Sequence, residues 1–180
     1  MRVDVTDLIG HPGASRGATD AVRREDVATA SWGPADDALA SPISYDLVLE
    51  MLVDGLLATG TMAFTTSQPC ARCLVGVVAE HDVEVSELYA DPARLAEEDD
   101  EEEVEVGYEL HPLEGCIDLE AMVRDTVVAA VPVRTLCRED CQGLCPTCGA
   151  DRNRADCGHR YEPEVDPRWA VLQDLDVPPR

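Results

Sequence analysis

Eight cysteines fall in a chain of 180 residues, and seven of them carry the spacing of metal ligands. Cys70-x2-Cys73, Cys137-x3-Cys141 and Cys145-x2-Cys148 are pairs, and Cys157 is followed across one residue by His159. Zinc is held tetrahedrally by sulfur and nitrogen, and short spacings on tight turns let both thiolates of a pair point at one ion. In Cys145-Pro146-Thr147-Cys148-Gly149 the proline sets the turn, and the glycine permits the backbone conformation that leaves amides facing the sulfurs. Seven cysteines with His159 make eight ligands, enough for two complete sites, so the expected cofactor is one or two zinc ions. The preferred pairing joins Cys70 and Cys73 to Cys137 and Cys141, with a local second site of Cys145, Cys148, Cys157 and His159. A single site of Cys70, Cys73, Cys145 and Cys148 is the alternative, and spacing does not choose between them. Cys116 stands alone before a helix and reads as a small buried hydrophobe. His81 lies in a strand and His11 and His111 in loops, all without partners.

Other chemistries lack support. A redox Cys-x-x-Cys opens a helix after a strand. Cys145 follows Gly143-Leu144, and Cys148 precedes Gly149-Ala150-Asp151, with more cysteines nearby. No phosphate-cradling glycine loop, Ser/His/Asp arrangement or paired carboxylates stand out, so neither an enzyme nor a small-molecule substrate is expected. The start, Met1 to Val5, has no apolar core of a signal peptide. No stretch approaches the roughly 20 apolar residues of a membrane helix, and the longest candidate, Val127 to Val133, contains Pro132. A cytoplasmic protein away from membranes is expected, with disulfides disfavoured.

The formal charge is −23, from 37 acids against 14 basic residues, all of them arginine. Such a charge opposes non-specific binding to phosphate and favours basic partners. Residues 134–160 are the exception: Arg134, Arg138, Arg152, Arg154 and Arg160 face Glu139, Asp140, Asp151 and Asp156, a net of +1 that leaves −24 elsewhere.

The elements that must position the cysteines follow from periodicity. Arg2 to Val5 reads as an edge strand. Ile43, Tyr45, Leu47, Leu49 and Met51 share one strand face, and Asp54-Gly55 signals a hairpin. Leu56 to Thr66 returns as the second strand, Cys70 to Cys73 forms a corner, and Leu74 to Tyr89 is a third strand with Val77, Ala79, His81, Val83 and Val85 on one face. Strand-like alternation resumes over Val104 to Leu110. Asp118 caps a long helix with Leu119, Met122, Val123, Thr126, Val127, Ala130 and Val131 on its apolar face, stopped by Pro132. The fold class is therefore α+β: an antiparallel β meander, one long packing helix and a cysteine-rich, zinc-pinned C-terminal arm. The body spans 1–135, with a mobile loop over 10–31, containing a short helix near Asp20 to Val27, and an acidic loop over 97–103. The cysteine segment spans 136–160. The tail spans 161–180, with a short helix after Asp166 that docks through Trp169, Leu172 and Leu175.

The ordered set Cys70-Ala-Arg-Cys73-Leu, Asp118-Leu-Glu-Ala-Met and Leu136-Cys-Arg-Glu-Asp-Cys-Gln-Gly-Leu-Cys-Pro-Thr-Cys-Gly-Ala-Asp-Arg-Asn153 resembles the YceD family of bacterial and plastid proteins, over roughly residues 40–175. Many relatives finish the motif with Cys-x-Cys where this chain has Cys157-Gly158-His159. The resemblance implies a non-enzymatic accessory factor in large-subunit ribosome biogenesis that supports accumulation of the large-subunit ribosomal RNA. Its partners would be a basic ribosomal protein, large-subunit ribosomal RNA, or both. A zinc-binding regulatory or metal-handling protein is the second reading, and a thiol oxidoreductase the third.

Overall fold

The computed structural model describes residues 1–27, 31–92, 107–160, 166, 168 and 169. Alternation builds its central sheet. In β3 (Ile43–Met51) the residues Ile43, Tyr45, Leu47, Leu49 and Met51 point inward and are buried, as a period of two requires. The Leu52 N–H donates to the Gly55 carbonyl at 2.8 Å and closes the reversal into β4 (Gly55–Pro69). The tip is thus Val53-Asp54, one residue earlier than the Asp54-Gly55 signal suggests. Gly55 instead opens β4 at φ 154°, where a side chain would drive into the Tyr89 carbonyl. β5 (Gly76–Ala90) pairs with β4 from Gly55↔Ala90 to Pro69↔Gly76.

Residues 10–31 are not simply a loop. They contain β2 (Ser15–Val22), paired antiparallel with β3 from Ser15↔Glu50 to Val22↔Ile43. Its sequence conceals it because an edge strand needs little apolar surface: only Arg16, Ala18 and Val22 are even half-buried. The helix expected near Asp20 to Val27 is a single 3-10 turn, Arg24–Asp26. A short helix that periodicity misses, α1 (Pro34–Ala38), follows Trp32. Trp32 is buried beneath the Arg24 guanidinium, which lies 4.7 Å from its ring centroid and donates to Asp36 at 2.6 Å.

The sheet has seven strands in the order β1-β7-β6-β5-β4-β3-β2. β1 (Arg2–Asp4) is the expected edge, against β7 (Cys116–Asp118). β6 (Tyr108–His111) pairs antiparallel with β7 but parallel with β5, through Tyr89↔Tyr108 and Ala90↔Glu109. The sheet is therefore mixed rather than a pure antiparallel meander. A parallel neighbour needs a crossover rather than a tight turn, and residues 91–107 supply that connection. Of the expected strand Val104 to Leu110, the described part begins as strand at Tyr108, and His111 closes it rather than lying in a loop. Residues 104–106 and the acidic run Glu97 to Glu103 lie outside the described residues.

The long helix, α2 (Glu120–Ala130), packs on β5 and α1. The Asp118 carboxylate accepts the Glu120 N–H at 2.9 Å, which is the expected cap, although Leu119 occupies the N-cap position itself. Leu119, Met122, Val123, Val127 and Val131 are buried, with Thr126 and Ala130 half-buried beside them. They join Val5, Leu8, Leu110, Ile117 and the inward faces of β3 and β4 in one core. Among the described residues no helix is long and apolar enough to cross a membrane. In the tail, Asp166 accepts the Arg168 N–H at 2.9 Å, and Trp169 is 60% exposed. Leu172 and Leu175 lie outside the described residues.

Candidate metal centres

The β4–β5 turn ends in a tight knuckle. The Cys70 N–H donates to the Val75 carbonyl at 2.8 Å, and the Leu74 N–H donates back to the Cys70 carbonyl at 2.9 Å. Residues 145–150 repeat this pattern: Cys145 N–H to Ala150 carbonyl and Gly149 N–H to Cys145 carbonyl, both 2.8 Å. The fifth residue of each knuckle has a left-handed backbone, Leu74 at φ 63° and Gly149 at φ 73°. That turn swings amides toward the first sulfur. The Cys73 amide, and after it that of Arg72, hold the Cys70 thiol down at about 6 against burial. The Cys148 and Thr147 amides hold Cys145 down at about 6 in the same way.

The chain after α2 returns to the first knuckle. The Ala71 N–H donates to the Thr135 carbonyl at 2.8 Å, and the Thr135 hydroxyl donates to Gln68 Oε1 at 2.6 Å. Arg72 then clamps the arm: its guanidinium donates to the Cys141 carbonyl at 2.8 Å and the Glu139 carbonyl at 3.2 Å, and its own carbonyl accepts the Leu144 N–H at 3.0 Å. Gly143 passes so close that a Cβ there would lie 2.9 Å from the Arg72 carbonyl oxygen.

These contacts bring the sequence-predicted ligands into two groups. Cys70, Cys73, Cys137 and Cys141 form one, and Cys145, Cys148, Cys157 and His159 the other, with ligand atoms all within 4.8 Å of one another in each group. This is the preferred pairing; the grouping of Cys70 and Cys73 with Cys145 and Cys148 is not formed. Sulfur separations are 3.8 Å for Cys70–Cys141 and 3.6 Å for Cys73–Cys137. A disulfide needs about 2.0 Å, and all eight cysteines are free. A zinc–sulfur bond of about 2.3 Å gives a tetrahedron with edges of about 3.8 Å, so the residues fit such an ion. The electrostatics point the same way. Burial and the neighbouring thiols of Cys141, Cys73 and Cys70 push Cys137 up to about 12. Burial also opposes ionisation of Cys141, but the Gly143 amide and the Asn153 side chain outweigh it and lower its pKa. Four such sulfurs cannot ionise together without a cation among them.

Cys116 is buried in β7, apart from both groups. His81 stacks on Phe64 at 4.8 Å between centroids and its Nε2 lies 2.8 Å from the Thr66 hydroxyl, so it has partners, and among the described residues it belongs to neither ligand group. Sequence reasoning passed over Arg72 and Asn153, which sit inside the cysteine motifs but are not ligands themselves. It also missed a charged face. Glu80, Asp82 and Glu84 on β5 and Asp46 on β3 are exposed on the side of the sheet opposite the core, and no arginine of β2 to β5 is exposed beside them.

The family model described as large ribosomal RNA subunit accumulation protein YceD matches residues 58–176. An uncharacterized protein of Mycobacterium tuberculosis is 41% identical over 133 residues, 74% of this chain. One of Mycobacterium bovis shows the same identity and coverage, and one of Mycobacterium leprae is 36% identical over 138 residues, 77% of the chain. The chain spans 61% of the length of these relatives. No solved structure matches it.

Proposed function

Because the chain belongs to the family of the large ribosomal RNA subunit accumulation protein YceD, we propose that it is a non-enzymatic, cytoplasmic accessory factor in large-subunit biogenesis that binds a basic ribosomal protein. The observation that carries the choice of partner is the open sheet face, where Glu80, Asp82, Glu84 and Asp46 stand exposed on a chain of net charge −23. A surface of one sign steers an oppositely charged chain and repels phosphate. The acidic run 97–103 contributes seven of the chain's negative charges. Direct RNA binding through residues 134–160 is the weaker arrangement. The five thiolates of that segment with two dications would subtract one charge there, turning +1 into 0 and leaving no net attraction for phosphate.

The two ligand groups are proposed to hold zinc in a structural role, because all eight positions are filled by protein and none is left open for substrate. Bound ions would neutralise the crowded thiolates and pin the arm to the body. The lowered Cys70 and Cys145 are what a dithiol reductase would also need, but each sits among four ligands rather than in an isolated pair.

The test is association kinetics with a purified basic large-subunit ribosomal protein. Replacing Glu80, Asp82 and Glu84 by Gln, Asn and Gln should slow association at low salt by about tenfold, with the difference shrinking as the Debye length falls to about 8 Å near physiological ionic strength. Rates unaffected by the change at low salt would reject this face. Tight binding of bare ribosomal RNA with a steep salt slope would place the arginines of 134–160 at the interface instead. Metal analysis of protein purified without chelator should find two zinc ions per chain; intact thiols with no metal would reject the structural role.

A further inference from the structure

The two ligand groups share one side chain that is a ligand of neither. Asn153 lies between Cys148 and Cys157, within the loop that the local group closes. Its Nδ2 donates to Cys141 Sγ, a ligand atom of the other group, at 3.5 Å. Its Oδ1 accepts the Gln142 N–H and an Arg138 guanidinium N–H, both at 2.8 Å. Nδ2 and the backbone N–H also both reach Asp151 Oδ1, at 2.7 and 2.9 Å. The carboxamide orientation is fixed by chemistry: turned over, its oxygen would face a carboxylate and a sulfur while its NH2 faced two donors. The half-buried Asn153 therefore carries a donor from one group's loop to a sulfur of the other.

We propose that Asn153 is a positioning residue that couples the two metal sites, so that filling the Cys145/Cys148/Cys157/His159 site raises the affinity of the Cys70/Cys73/Cys137/Cys141 site. This rests on the reading that both groups hold metal. A metal at the local site fixes residues 145–159, and with them the position of Asn153. The fixed carboxamide then holds the Cys141 sulfur and the Gln142 backbone where the second ion needs them. A donor to a thiolate also lowers the cost of gathering four such charges. Coupling of this kind is reciprocal, so metal at the four-cysteine site tightens the local one by the same factor. Uptake is then cooperative, and the arm attaches to the body only as its own fold completes.

The full-length chain, stripped of metal under reducing conditions, is titrated with cobalt and then zinc against a chelator. Thiolate-to-cobalt absorption distinguishes the four-sulfur site from the three-sulfur one. Circular dichroism of each variant verifies the body. In Cys148→Ser, four-cysteine-site affinity should fall by about tenfold to a hundredfold, the range for loss of a group that orients a ligand. Asn153→Ala should bind two ions yet show the same fall at that site, and Cys148→Ser added to it should cause no further loss. Asn153→Asp, nearly isosteric, keeps acceptors for Gln142 and Arg138 but removes the donor to Cys141, and should weaken the same site. Unchanged affinity in the Asn153 variants would overturn the proposal. So would a Cys148→Ser effect of equal size with and without Asn153, because the coupling would then run elsewhere. Failure of the parent chain to bind metal would reject the metal reading itself, an outcome distinct from either.

Discussion

The two knuckles solve one backbone problem with different residues. The fifth position must be left-handed so that the preceding amides face the sulfur, and it is glycine in one knuckle, Gly149 at φ 73°, and leucine in the other, Leu74 at φ 63°. A side chain in that conformation costs roughly 1–2 kcal/mol, and Leu74 recovers little by burial because it is 64% exposed. Gly149→Ala should therefore lower stability by about 1 kcal/mol in denaturant titration of the metal-loaded protein, whereas Leu74→Gly should cost nothing or stabilise slightly. A second residue-scale expectation concerns Asp36. The Ser31 hydroxyl, the Arg24 guanidinium and the Trp32 N–H hold its carboxyl below the usual carboxylate range. A group with a lowered native pKa contributes stability above its unfolded pKa of about 4 and loses it as pH falls through the native value. The stability gap between the parent and Asp36→Asn should be full above about pH 4 and close on further acidification, as read by chemical denaturation at each pH.

At the scale of elements, β4 depends on Gly60. Its φ is 152°, and a Cβ there would collide with the Asp46 carbonyl and lie 2.9 Å from the Leu47 Cα on the paired strand. Backbone cannot yield as a flexible side chain can, so Gly60→Ala should destabilise by about 2 kcal/mol or more, visible as an early thermal midpoint with metal sites still filled. Nothing in the alternation of Leu56 to Thr66 marks Gly60 as critical, which shows where legibility ends. Strands that bury one whole face, such as β3, announce themselves because every second residue must be apolar. α2 is equally plain, since its stripe and Pro132 mark both face and end. β2 was hidden because an edge strand beside β3 is specified by backbone pairing, which any residue but proline provides. The parallel β5–β6 pair was hidden because neighbour choice is decided by the crossover and the core, not by either strand's own pattern. The cysteine pairs were legible because thiolate spacing is a local constraint, but spacing did not choose which pairs meet; the return of the chain after α2 to the β4–β5 turn brings Cys137 and Cys141 to Cys70 and Cys73. Arg72 and Asn153 were not, because a residue that orients a ligand bears no spacing rule of its own.

At the scale of the whole molecule, body and arm are held by different forces. The core cluster runs from Val5 to Val131, and the arm adds to the buried set only Cys141 and Cys145 among its apolar side chains. A segment that buries so little does not offset its chain entropy by the hydrophobic effect. What joins it to the body is the four-cysteine group and the three hydrogen bonds of Arg72 with Glu139, Cys141 and Leu144. The hydrogen bonds alone are worth only about 1 kcal/mol each, and three of them cannot hold some 25 residues, 136–160, in one conformation at roughly 1–2 kcal/mol per residue. Metal ligation at the two groups, as proposed above, would supply on the order of 10 kcal/mol, which is enough. Stripping the metal with a chelator under reducing conditions should therefore release the arm without unfolding the body. Limited proteolysis should cut within 136–160 in the stripped protein and leave a resistant fragment ending near residue 135, while circular dichroism retains its sheet signal and the cooperative melt persists. Acid should mimic the chelator, because protons compete with the ion for thiolates, so cleavage should begin as pH falls and reverse when zinc is restored near neutrality. A stripped protein whose arm resists protease as well as the loaded form would mean that packing, not metal, holds it.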